Sequence, residues 1–149
     1  MNVNLSQKCQ YAVRAVLELA RRYRQGPVPA GEVAASQGIP QRFLEVILNE
    51  LKPSGLVESR RGAQGGYSLS RDPRSITVGQ VIRLIEGPLD PVRTEAGPPG
   101  GDLPWGTRAL HELWDRAGRA VDSVYDSVTF HDLVDRERSL RRSVADYSI

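Results

Sequence analysis

The sequence predicts a mainly α-helical protein: a winged helix-turn-helix domain with a two-stranded wing, followed by a long C-terminal dimerisation helix. Three observations predict it. Ala34 and Gly38 stand four residues apart between two amphipathic segments. A small residue lets two helices cross closely, and glycine supplies the positive φ of a tight turn. The glycine-rich run Gly62-Ala63-Gln64-Gly65-Gly66 joins two short strand-like stretches, the mark of a hairpin. Finally, Leu110, Trp114, Ala117, Val121, Val124 and Val128 recur at alternating spacings of four and three residues, a continuous seam of the coiled-coil type.

The elements follow in order. Residues 6–24 place Ala12, Ala15, Val16, Leu19, Ala20 and Tyr23 on one helical face, and Gly26-Pro27 ends the segment. A short helix over residues 30–37 precedes Gly38-Ile39-Pro40. A third helix over residues 40–51 starts at a proline, tolerated in a first turn. Its buried face reads as Phe43, Leu44, Ile47, Leu48 and Leu51, and Pro53 with Gly55 stops it. Residues 56–60 and 67–71 form the strands. Thr77 and Gln80 have capping-box spacing at the head of a helix whose stripe is Val78, Val81, Ile82 and Ile85.

Residues 1–87 are thus the winged domain and 88–104 a proline- and glycine-rich loop. Residues 105–138 are the dimerisation helix and a short following helix, and 139–149 a frayed polar tail. Pro104 opens the long helix, with Asp102 as a cap. About 24 residues make a rod of roughly 36 Å, longer than the small domain can bury, and Thr129 caps the helix after it.

Composition narrows the function. The chain has 149 residues with 20 basic and 18 acidic side chains, and so mild a net charge names no partner. Its distribution says more: residues 1–75 hold 11 basic and 6 acidic groups, the remainder 9 and 12. Lysine occurs only at Lys8 and Lys52, so arginine supplies the other cations. Its fork suits phosphates and base edges, although a GC-rich genome produces the same bias. No apolar stretch approaches the roughly 18 residues of a membrane span. The polar N-terminus (Asn2, Asn4, Ser6, Gln7, Lys8) lacks the apolar core of a signal peptide. A cytoplasmic protein without membrane contact is expected.

Such a fold reads double-stranded DNA. The third helix would enter the major groove N-terminus first, offering Gln41, Arg42 and Glu45, which suit adenine, guanine and cytosine edges. The hairpin places Arg60, Arg61 and Gln64 at a tip narrow enough for the minor groove. Lys8, Arg14 and Arg21 of the first helix are candidate phosphate contacts. An enzyme is not expected. His111 and His131 are the only histidines, neither spaced for a metal or a Ser/His pair, and the glycine loop lacks the Lys-Ser/Thr of a phosphate loop.

The segments LSQKCQYAVRAVLELA, IPQRFLEVILNELKPSGLVESRRGAQGGYSLSR and ITVGQVIRLIEGPL resemble the IscR/NsrR/CymR-type family of bacterial transcriptional regulators over residues 3–137. The resemblance implies a dimeric winged-helix DNA-binding protein, usually a repressor, on a pseudo-palindromic operator. It places Arg61 at the wing arginine that enters the minor groove, and Pro40, Arg42 and Glu45 at recognition-helix positions. Pro40 and Arg42 stand where some members have serines, so no operator can be borrowed.

Cluster-binding members carry three cysteines in the loop before the long helix. That loop here, residues 90–107, has none, and Cys9 is the one cysteine of the chain. His111 matches an additional ligand of some members, but Cys9 and His111 are a poor set for an iron–sulfur cluster. No cofactor is expected. Two alternatives stand beside the homodimeric regulator: an adaptor working through a protein partner with weak DNA binding, and a small-molecule sensor with a cavity near Trp105 and Trp114.

Overall fold

The computed structural model describes residues 5–88 and 103–148. Most of the expected proline–glycine loop, and the Asp102 cap, fall outside the described residues. Six helices and one hairpin follow in order: α1 (Gln7–Arg21), α2 (Ala30–Gln37), α3 (Gln41–Leu51), β1 (Val57–Arg60), β2 (Gly66–Leu69), α4 (Val78–Glu86), α5 (Thr107–Asp126) and α6 (Phe130–Asp146). Short 3-10 turns follow α3 and β2. The mainly helical winged architecture expected from the sequence is what the chain adopts.

The core gathers around α1, whose Cys9, Ala12, Ala15, Val16 and Leu19 are sealed from solvent. Against it lie Val33 of α2, Leu44, Ile47, Leu48 and Leu51 of α3, and Val81 and Ile82 of α4. The α2–α3 turn forms as its residues dictate. Gly38 takes φ 60°, and the Ile39 N–H donates to the Ala34 carbonyl at 2.9 Å. This closes the helix end with a residue that only glycine supplies without strain. α3 ends where the sequence places its stop, just before Pro53. The helix runs to Leu51 and tightens into a 3-10 turn over Lys52–Ser54.

Phe43 corrects the expected buried face of α3. It is 63% exposed, because Leu44, Ile47, Leu48 and Leu51 set the helix phase and Phe43 falls outside their arc.

β1 and β2 pair antiparallel, with Val57 opposite Leu69 and Arg60 opposite Gly66. Val28 and Tyr67 exchange backbone hydrogen bonds of 2.8 Å in both directions, fastening the wing to the α1–α2 connection. A Cβ at Gly66 would overlap the Val28 carbonyl, so the close approach requires glycine there.

The C-terminal part departs from expectation at both ends. Pro104, Trp105, Gly106 and Thr107 form a turn in which the Thr107 N–H donates to the Pro104 carbonyl at 3.1 Å and Gly106 takes φ 89°. That is the glycine position of a type II turn. It delays α5 to Thr107, leaving 20 residues and a rod of about 30 Å.

The expected frayed tail is instead the second half of α6, which continues to Asp146. Thr129 and Asp132 form a full capping box. No proline or glycine follows, and the i,i+4 pairs His131–Asp135 and Glu137–Arg141 support the exposed face.

α6 also returns to the first domain rather than extending away from it. Phe130 and Val134 are buried in the core beside α1. A short backbone bridge joins Thr77 to Thr129, with Val78 N–H donating to Val128 and Phe130 N–H to Ile76. Val128 therefore leaves the expected seam: it lies beyond α5 and packs on the core.

Candidate nucleic-acid interface

α3 presents Gln41, Arg42 and Glu45 on its solvent side. Gln41 and Arg42 are exposed and Glu45 half-buried. The Gln41 amide donates to the Glu45 carboxylate at 3.1 Å, and Gln41 also reaches over Gly31 of α2. These two polar ends are therefore held in place before any partner arrives.

The wing meets α3 through Tyr67, whose hydroxyl lies 3.5 Å from the Asn49 side-chain oxygen. Burial, with the nearby Glu45 charge, pushes the Tyr67 phenol above its ordinary range. It stays a neutral hydroxyl that bridges wing and helix. Sequence reading passed over both Tyr67 and Asn49. Their only signal is indirect: Asn49 falls two helical turns beyond Arg42, on the same outer line.

Arg60 ends β1, and Arg61 and Gln64 lie in the hairpin loop, all three exposed. Arg14 approaches the α2–α3 turn, with its guanidinium beside Gly38 and over the Tyr11 ring at 5.7 Å. Among the described residues, Arg14, Arg42, Arg60 and Arg61 have no carboxylate partner. Their charge is available to a polyanion.

The structure treats the other two expected phosphate contacts differently. Lys8 is paired with Glu50 at the far end of α3. Arg21 forks onto Glu18, so it serves the protein's own structure.

Glu18 was missed by sequence reading. It is 2% exposed and accepts from Arg21 (2.6 and 3.0 Å), Arg22 (2.9 Å) and Gln37 (3.3 Å). Burial alone would raise its pKa. The Arg21 hydrogen bonds and charge, with hydrogen bonds from Gln37 and Ser36, outweigh that and hold the carboxyl below its usual range. This network ties α1 to α2.

On α5, Leu110 is 47% and Val124 62% exposed, and Trp114, Ala117 and Val121 are half-buried. Leu113 is a further exposed apolar residue of this helix, outside the expected seam. Gly118 is the one buried residue of α5, so the described residues leave the apolar side of this helix largely uncovered. The base of the helix is clamped: Arg83 of α4 forks onto Asp126 at 2.7 and 3.1 Å, with Asp122 at 3.9 Å.

The residues do not suit a cluster built on three thiolates. The single thiol, Cys9, is fully buried. Burial, the Glu86 charge and a hydrogen bond to Glu86 push it up to about 12, far from the thiolate a metal needs. His111 lies on α5 with its ring 5.8 Å from Trp114. Among the described residues no three His, Cys, Asp or Glu side chains converge as a metal set.

Trp105 is fully exposed. A cleft of about 900 Å³ opens elsewhere, between α1, α2 and α6, lined by Glu18, Arg21, Gln37, Val134 and Arg138 among others. Among the described residues no helix is long and apolar enough to cross a membrane.

A helix-turn-helix with uncompensated arginines, a glycine-tipped arginine wing and a clamped arm defines the class: a winged-helix DNA-binding regulator. The chain belongs to the Rrf2 family, described as iron-dependent transcriptional regulators, whose model matches residues 5–136. It is 37% identical over 131 residues to the HTH-type transcriptional regulator CymR of Bacillus subtilis, covering 88% of this chain and 89% of that protein. It is 35% identical to the HTH-type transcriptional regulator IscR of Vibrio campbellii, covering 89% and 77%. The solved structure of B. subtilis CymR, described as the global cysteine regulator of that organism, superposes with a TM-score of 0.77 at 36% identity, covering 90% of this chain and 98% of that one. The protein is a DNA-binding transcriptional regulator, and its family and relatives are regulators rather than enzymes.

Proposed function

We propose that the protein is a homodimeric repressor that reads a pseudo-palindromic operator in the cytoplasm, each winged domain taking one half-site. The observation that carries this reading is the joint placement of Arg42 on α3 and Arg60 and Arg61 on the wing, exposed and, among the described residues, without carboxylate partners. Such a pair of elements suits a helix in the major groove and an arginine in the neighbouring minor groove. The uncovered apolar side of α5 supports pairing with a second copy.

We infer further that no iron–sulfur cluster resides in the protein. One buried, protonated thiol cannot supply the ligands, so its signal comes through different chemistry.

The test is affinity for the palindromic element in the protein's own promoter region against random duplex at matched salt. Preference for the element is expected, and equal affinity overturns the repressor reading. Arg61→Ala should weaken operator binding by about 1–3 kcal/mol. An unchanged affinity removes Arg61 from the interface.

A further inference from the structure

We propose that Phe43 and Val46 of α3 form an apolar strip that reads thymine methyl groups in the major groove, beside the polar readout of Arg42. The inference rests on the DNA-reading function and deepens it.

Phe43 is 63% and Val46 61% exposed. The buried line of α3 is Leu44, Ile47, Leu48 and Leu51. At 3.6 residues per turn, the opposite line runs Arg42, Val46, Asn49. Val46 therefore stands one turn beyond Arg42 on the outward line, and Phe43 stands one turn before Val46 on its flank. Both belong to the same exposed surface as the unpaired Arg42.

The surroundings identify the occupant. This surface adjoins the hairpin that carries Arg60 and Arg61, through the Tyr67–Asn49 contact, so its partner is polyanionic. A face that joins unpaired arginine to exposed apolar carbon needs a partner with both characters. The major-groove edge of duplex DNA has them: phosphates and guanine acceptors for arginine, and the C5-methyl of thymine as its apolar group. Neither Phe43 nor Val46 can hydrogen-bond a base edge, so each contributes by burying a methyl and by disfavouring polar edges that would lose water without compensation. Burying one methyl corresponds to about a four-fold change in affinity.

The experiment begins with the intact protein and a pool of random duplexes, from which the best-bound sequence is taken. Each thymine is then replaced by deoxyuridine, which removes only the methyl, and affinity is read by fluorescence anisotropy at fixed salt. One or two thymines per half-site should each show about a four-fold loss on replacement. Val46→Ala should erase the effect at one such position and leave the other, and Phe43→Ala should do the converse. Both positions are exposed on a helix, where alanine is well tolerated, and circular dichroism checks that both variants remain folded. An enriched duplex insensitive to every methyl, or a sensitivity that survives in both variants, overturns the strip. A pool that yields no enriched sequence overturns the DNA-reading function itself, and the strip with it.

Discussion

Replacing Glu18 by glutamine should destabilise the protein by about 2 kcal/mol. The carboxylate is 2% exposed and receives four hydrogen bonds from three side chains. Glutamine keeps one acceptor oxygen and sets an amide N–H₂ where the other stood. If that group takes the Oε2 side, it faces Arg21 Nε and Gln37 Nε2, both donors. Losing one charge-assisted hydrogen bond inside a protein costs about 1.5–3 kcal/mol. Arg21 is half-exposed, so water recovers part of the loss, which places the net near the lower half of that range.

In a chain of this length that loss lowers Tm by about 4–8 °C. Urea unfolding followed by circular dichroism, at one protein concentration, measures it. The pH dependence separates charge from packing. Because the folded state holds Glu18 below its ordinary value, its stabilisation is fully present above about pH 5 and is lost as pH falls through the folded-state value. The gap between wild type and Glu18→Gln should therefore narrow in acid. Stabilities that agree within about 0.5 kcal/mol at pH 7, or a gap that stays constant as far down in pH as both proteins fold, would refute the argument.

Two further outcomes are expected. Cys9, buried and with its thiol pKa pushed up to about 12, should resist a disulfide reagent in the native protein and react promptly in denaturant. Its raised pKa also means stability present below about pH 9 and lost as pH climbs toward 12; native reaction at pH 8 at the rate of a free thiol would contradict both. Val124→Asp places a charge on the uncovered side of α5, and sedimentation should show the proposed dimer shifting to monomer while the fold persists; an assembly state unaltered by the change would remove this face from the interface.

Local sterics explain which parts of the fold were legible. Ala34 and Gly38 announce their turn because the requirement for a small residue and a positive φ lies within five residues. Thr77 and Gln80 announce the start of α4 in the same way, and both capping bonds form. Phe43 misled because it stands next to Leu44 in an apolar run, and the helix phase was resolved by residues further along. Glu18 could not be recognised as buried, since its burial depends on α2 bringing Gln37 across to α1. Val128 satisfied the seam spacing, yet the bridge between residues 77 and 129 draws it into the core, a pairing with no sequence signature. The charge pattern of the candidate interface was readable at Arg42 and Arg61. The internal use of Lys8 and Arg21 was not: Glu50 lies 42 residues from Lys8, and although Glu18 and Arg21 have an ordinary i,i+3 spacing, only the burial of Glu18 turns that arginine to an internal role.

The Arg83 clamp on Asp126 and Asp122 makes α5 a lever with its pivot at the edge of the winged domain. Over an arm of about 30 Å, a tilt of about 6° at the pivot moves the far end by roughly 3 Å. That is close to the rise of one base pair, about 3.4 Å. In a two-fold assembly joined along such arms, a slight repacking around Arg83 would put the two reading heads out of step with a fixed operator. Loosening that one guanidinium–carboxylate fork would then be enough to change the spacing of the heads.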